Sequence, residues 1–224
     1  MTYDFQSDFA QRRQQVKRYL SVVREMERDQ QWAGSSRLSA ERLNVLRAGT
    51  FLVLYNLIES AARTSIQELH DKIVSDRVAF PGLRRTIRRE VIKGFKRRAS
   101  PDLHQDMDDV PITLVAISLD VEDHFSGNVD ARRVREIGAL YGFSTDTDKS
   151  RTRAGADLLT IKNVRNDLAH GQKTYDEVGR DYTFKELLEI SCRSSAYVKA
   201  ILDNIAVYLD GDGFFEPDPT VAAA

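Results

Sequence analysis

Arg165, Asn166 and His170 fall together in the segment Val164-Arg-Asn-Asp-Leu-Ala-His-Gly171. These residue types can do chemistry. An imidazole exchanges protons near neutral pH, and a guanidinium pairs with anions such as phosphate. At about 100° per residue, Ile161, Val164 and Leu168 form the apolar face of a helix. Arg165 borders that face, while Asn166 and His170, four apart, share a different one. Arg165 and His170 then stand about 140° apart on an ideal helix. One helix does not aim both at a single small site; two copies related by a twofold axis would pool them in a shared cleft. The plain alternative is a capped helix end, with His170 exposed near the C-terminal dipole and Arg165 in an ordinary ion pair.

Spacing alone decides nothing, because an Arg followed a few residues later by His recurs in this chain. Arg63 precedes His70, and Arg97 and Arg98 precede His104. Pro101 interrupts the second pair of decoys. The first lies mid-helix, where both residues read as a solvated face. Context sets Arg165 and His170 apart: Asn follows the Arg directly, His ends the helix, and Gly171 is a favoured residue just past a helix end.

Other candidates are fewer. Between Arg84 and Arg98 lie eight basic residues against one acid, Glu90. Arg84, Arg85, Arg88 and Arg89 cluster on one side of that predicted helix, with Leu83, Ile87, Val91 and Phe95 facing inward. The group reads either as a phosphate-binding surface or as a solvated helix face. His104 and His124 stand beside acids, but no third or fourth ligand follows at metal spacing. Asp210-Gly-Asp-Gly lacks the spaced ligands and closing Glu of a calcium loop. No phosphate-binding Gly-Lys-Ser/Thr loop and no Gly-x-Ser-x-Gly elbow occurs, so no cofactor is expected.

The elements that must position these residues are helical. The 224 residues, 42% hydrophobic and 30% charged, suffice for one sizeable core, and Pro and Gly are scarce. A single helical domain is expected over 1–210, followed by a flexible tail over 211–224. The first helix is predicted from Ser7 to Asp29, with Trp32 to Ser36 as a loop. A long second helix, Ser39 to Val74, carries the stripe Leu52, Tyr55, Glu59, Ala62, Ile66, Leu69 and Ile73. Glu59 is the misfit, since an unpaired buried carboxylate is costly. A salt bridge to Arg165 would fix the arginine's direction; a partly exposed Glu at the bundle rim is the alternative.

Further along, Pro81-Gly82 makes a turn before the basic helix. An acidic loop containing Asp102, Asp106, Asp108 and Asp109 follows it. The apolar run Pro111 to Leu119 fits a short buried helix or a strand, with helix or irregular structure preferred because no other strand exists to pair with it. Asn128 is the expected N-cap of a helix stopping at Gly142, and 146–156 reads as a polar linker. The motif helix runs from Asp157 to His170. Thr183 and Glu186 form a capping box that starts a last helix, ending near Leu209.

Net charge is −1, so any nucleic acid must be held by a local patch. The lone Cys192 excludes a disulfide within one chain and reads as a small core residue beside Ser191, Ser194 and Ser195. The N-terminal residues carry no basic segment followed by an apolar stretch, so no signal peptide is expected. The longest apolar run, Phe51 to Ile58, falls short of the about 20 residues of a membrane helix. A soluble, cytoplasmic protein without a membrane partner is expected.

Val164 to Gly171 resembles the Arg-Asn-x-x-x-His signature of HEPN ribonucleases from bacterial toxin–antitoxin and phage-defence systems. Leu54-Tyr-Asn-Leu-Ile-Glu-Ser60, Phe125-Ser-Gly-Asn-Val-Asp-Ala-Arg132 and Gly179-Arg-Asp-Tyr-Thr183 extend the likeness, over most of the chain, to the prokaryotic MAE-type subfamily. The resemblance implies an all-α, antiparallel helical bundle, with extra helices inserted between the second core helix and the motif helix. It also implies a homodimer around the motif helices, an RNA substrate, and an antitoxin or defence-system partner. The implied chemistry is metal-independent endoribonuclease action, in which a ribose 2′-hydroxyl attacks the adjacent phosphodiester. His170 would act as general base or acid, Arg165 would pair with the phosphate, and Asn166 would orient His170 or bind the phosphate. Some such toxins carry a modifiable Tyr two residues after the His; Gln172 stands here instead. A catalytically inactive HEPN scaffold subunit is the runner-up, and a DNA-binding regulator using the Arg84–Arg98 helix is a third reading.

Overall fold

In the computed structural model, which describes residues 3–33, 36–98, 110–125 and 127–217, the chain folds around one very long helix. That helix, α2 (Arg37–Ser75), carries fifteen buried residues from Leu43 to Ile73. Its start is fixed by Ser36, whose side chain accepts from the Ser39 N–H. Around it lie α1 (Asp4–Ala33), α3 (Arg85–Arg98), α4 (Val110–Ser118), α5 (Ala131–Tyr141), α6 (Lys149–Thr152), α7 (Ala156–Ala169), α8 (Tyr175–Arg180) and α9 (Phe184–Asp210). No strand occurs among the described residues, as expected of an all-α chain; Leu83 and Phe215 make only an isolated bridge. By length and composition α2 could cross a membrane, yet it is the bundle's central helix, half buried by α1, α7, α8 and α9 over its most apolar stretch.

The apolar stripe of α1 packs on α2 through Phe5, Phe9, Val16, Leu20 and Val23, all buried. The Tyr19 hydroxyl donates across the seam to the Leu46 carbonyl at 2.8 Å. On another side, α8 comes so close to α2 that a Cβ at Gly179 would lie 2.1 Å from the Asn44 carbonyl oxygen. Only glycine fits that backbone contact, and it brings Asn44 within 2.7 Å of Asp176. The Thr183 side chain and Glu186 form the reciprocal capping box expected at the start of α9, and Thr174 with Glu177 forms a second one at α8.

The apolar run left open between helix and strand is helical, as preferred: α4 covers it up to Ser118, whose carbonyl accepts from Arg98. Several other expectations are corrected here. α5 is capped by Asp130, whose carboxylate accepts from the Arg133 N–H, not by Asn128. Cys192 is exposed, because the small residues packed inward, Ser191, Ser194 and Ser195, lie on a neighbouring face. His70 is no surface residue: it is 3% exposed, and its Nε2 lies 2.5 Å from the Tyr141 hydroxyl. The expected linker over 146–156 holds α6 and a short 3-10 turn. The tail does not fray at 211 either. Phe214 is fully buried, and Glu216 accepts from the Arg85 backbone N–H and pairs with Arg88. The acidic loop and His104 lie outside the described residues.

Candidate active site

The motif helix α7 ends as the sequence predicts. His170 is the cap residue, and Gly171 takes a left-handed conformation with φ of 66°. The Gly171 N–H donates to Leu168 and the Gln172 N–H to Asp167, a Schellman closure that satisfies the last carbonyls. Ile161, Val164 and Leu168 are buried, so the helix docks through its expected apolar face. His170 itself is exposed, and its ring makes no hydrogen bond or ion pair among the described residues.

Arg165 is held differently. Its guanidinium carbon lies over the ring of Tyr55 on α2, 4.6 Å from the centroid, a cation–π contact on a buried platform. Its Nη1 donates to Asn166 Oδ1 at 2.9 Å. Asn166 Nδ2 in turn donates to Asn128 Oδ1 at 2.9 Å. A short chain therefore fixes the arginine: a ring beneath it, an amide beside it, and a second amide anchoring the first. Nε and Nη2 of Arg165 remain unspent among the described residues. The platform is itself pinned, since the Tyr55 hydroxyl accepts from the buried Val129 N–H at 3.2 Å. Burial pushes the Tyr55 phenol above its ordinary range, so the ring stays neutral.

Glu59 does not pair with Arg165. Its carboxylate accepts from Arg63 Nε at 3.1 Å, one helical turn away on the same helix. Arg63 also reaches Glu122 at 2.5 Å and the Phe125 carbonyl at 2.8 Å. A partner four residues along the same helix needs no docking partner to be in reach, so it takes the carboxylate. Glu59 remains a neighbour of Tyr55, not a brace for Arg165.

The basic cluster on α3 is partly consumed. Arg84 Nε donates to the Gly213 carbonyl, and Arg88 pairs with Glu216 at 3.2 Å. Arg85 and Arg89 are exposed. At the other end of α3, Arg97 and Arg98 pair with Asp123 at 2.8 and 2.6 Å. So the structure joins Arg165 with Asn166, leaves His170 one turn beyond them, and ties half of the Arg84–Arg89 group to the C-terminal segment.

Two members of the constellation were not assigned to it from sequence. Tyr55 reads as one more core residue of the α2 stripe, and Asn128 as a helix cap. A signal for Tyr55 exists: at a buried stripe position a Tyr needs a hydrogen-bond partner and offers a π-face, which Phe or Leu would not do together.

The family model described as HEPN_MAE_28990-like HEPN matches residues 1–214. The chain belongs to this HEPN family. No curated protein and no solved structure matches it.

Proposed function

We propose that the protein is a metal-independent endoribonuclease whose active site is shared by two copies of α7. The observation that carries this reading is the pinned Arg165 beside Asn166, with an unengaged His170 one turn on at the Gly-capped end. A guanidinium with fixed direction and spare N–H groups suits a phosphate whose charge grows during reaction. An exposed imidazole suits proton transfer near neutral pH. Because Arg165 turns toward α2 while His170 stays in solvent, pairing with a second copy is the simplest way to put one molecule's arginine near the other's histidine.

In the proposed reaction the 2′-hydroxyl of one nucleotide gives its proton to His170 and its oxygen attacks the adjacent phosphorus. The bond from phosphorus to the 5′ oxygen of the next nucleotide breaks, and that oxygen takes up a proton from solvent water, while His170 later returns its own to solvent. The products are a 2′,3′-cyclic phosphate and a 5′-hydroxyl, with Arg165 balancing charge on the phosphoryl oxygens and Asn166 holding Arg165. An antitoxin or defence-system partner protein would restrain or trigger the activity in a cytoplasmic setting.

The test is incubation of single-stranded RNA with the purified protein in the presence of a chelator, followed by end analysis. Cyclic phosphate and 5′-hydroxyl ends are the expected result. RNA left intact while the protein remains a dimer would return the chain to the scaffold reading.

A further inference from the structure

An open cleft of about 430 Å³ lies around the start of α5, and the proposed reaction does not use it. His124, Asn128, Asp130, Arg132, Arg133 and Glu136 line it. Two bonds tie it to α7. Asn128 accepts from Asn166, and Asp130 pairs with Lys162, one turn before Asn166. The cleft therefore adjoins the Arg165–Asn166 pair.

Its charges are arranged unequally. The carboxylates are already compensated from outside: Asp130 by Lys162, and Asp123, also on the lining, by Arg97 and Arg98. Glu136 is shared between two guanidiniums, taking Arg132 Nε at 2.9 Å and Arg133 Nη1 at 3.2 Å. Arg133 Nε is fixed on the His124 carbonyl at 2.8 Å. One carboxylate between two arginines leaves a positive charge in surplus and, among the described residues, unspent Nη groups on both arginines. Such a fork matches the oxygens of a phosphodiester.

We infer that this cleft is a subsite for a backbone phosphate of single-stranded RNA next to the one cut, with Arg132 and Arg133 as its binding residues. It rests on the nuclease reading for its register but not for its chemistry, because phosphate binding needs no turnover. RNA crossing α7 at Asn166 would run into the cleft and be held in register there.

Arg132 is the residue to change, since its side chain is 84% exposed and bonds only Glu136 among the described residues. The first arm measures cleavage of a dinucleoside monophosphate, with one phosphate, against a pentanucleotide. In Arg132→Ala the preference for the longer RNA should fall about fivefold, the size of an exposed charge contact. Arg37→Ala, an exposed arginine paired among the described residues with Glu41 alone, should keep the wild-type ratio. An unchanged ratio in Arg132→Ala, or an equal loss on both substrates, overturns the inference. The second arm measures binding of a 2′-O-methyl pentanucleotide, which lacks the attacking hydroxyl. The slope of log affinity against log salt should shrink by about 0.7 in Arg132→Ala, one single-strand phosphate contact. An identical slope overturns the subsite, as does an affinity loss confined to duplex DNA. If no RNA is cut by the wild type, the nuclease reading fails and this second arm alone decides the subsite.

Discussion

The guanidinium of Arg165 stacks on the ring of Tyr55, 4.6 Å from its centroid, so the motif arginine is aimed by the central helix as well as by its own. The same phenol holds the buried Val129 N–H through its hydroxyl. Ring and hydroxyl thus have separable jobs. Tyr55→Phe should keep RNA cleavage near the wild-type rate but lose about 1–3 kcal/mol of stability, the cost of an unpaired buried N–H. Tyr55→Leu removes the ring as well, and cleavage should fall about tenfold further, in line with a desolvated cation–π contact of about 1–2 kcal/mol. Urea unfolding and initial cleavage rates of both variants check the separation; equal activities in Phe and Leu would contradict it.

Asn128 acts on Arg165 only through Asn166, and through an acceptor oxygen. Asn128→Ala should slow cleavage about threefold to tenfold, the worth of one hydrogen bond. Asn128→Asp keeps an acceptor at that position and should recover most of the rate. Loss of the same size in both variants would show that the amide nitrogen, not the oxygen, matters.

Much of this could be read from sequence, and what could not has common physical causes. Helix ends were clear where one residue type has one use: Gly171 at positive φ after α7, and Thr183 with Glu186 at the start of α9. Expectation failed where two residues compete for one role. Asn128 and Asp130 are both good caps two positions apart, and Asp130 wins because its carboxylate serves the Arg133 N–H and Lys162 together. That leaves Asn128 to hold Asn166. Glu59 had two arginines to choose from, and the one a turn away on its own helix took it. His70 looked solvated because its partners, Tyr141 and Phe125's neighbour His124, come from distant segments that local periodicity does not register.

His70 and His124 share one hydroxyl, that of Tyr141, at 2.5 and 2.7 Å. Tyr141 has a single proton to give, so one imidazole must donate to it. His70 Nδ1 is buried without a partner, which is cheaper for a lone pair than for an N–H. His70 therefore donates through Nε2, and Tyr141 donates to His124. Protonating His70 would bury a charged ring with an unsatisfied N–H; burial pushes its pKa down to about 3 and lowers that of His124 also. In the unfolded chain an imidazole titrates near about 6.5. Below that pH the unfolded state takes up more protons, so this contribution is full above about 6.5 and is lost as pH falls toward about 3. Urea unfolding between pH 7.5 and 4.5 should show stability falling by up to about 1.4 kcal/mol per pH unit for each such histidine. His70→Gln should shrink the slope by about one proton; an unchanged slope would contradict the buried neutral pair.

Phe214 is fully buried and Lys72 Nζ lies 5.7 Å from its ring centroid, while Glu216 anchors the start of α3. Phe214→Ala should cost about 3–5 kcal/mol, as expected for an aromatic removed from a packed core. Phe215→Ala, at a half-exposed position, should cost much less. Thermal or urea unfolding of the two variants checks this, and similar small losses in both would mean the segment does not dock.

The most direct test of the central claim compares RNA cleavage by wild type, His170→Ala and Arg165→Ala, with chelator present throughout. His170 is exposed and without side-chain partners among the described residues, so its replacement should leave folding intact. The account predicts cyclic-phosphate products from the wild type and a loss of about a hundredfold or more in each variant, the usual scale for a general acid–base group or a transition-state charge partner. Cleavage at the wild-type rate in both variants would contradict it.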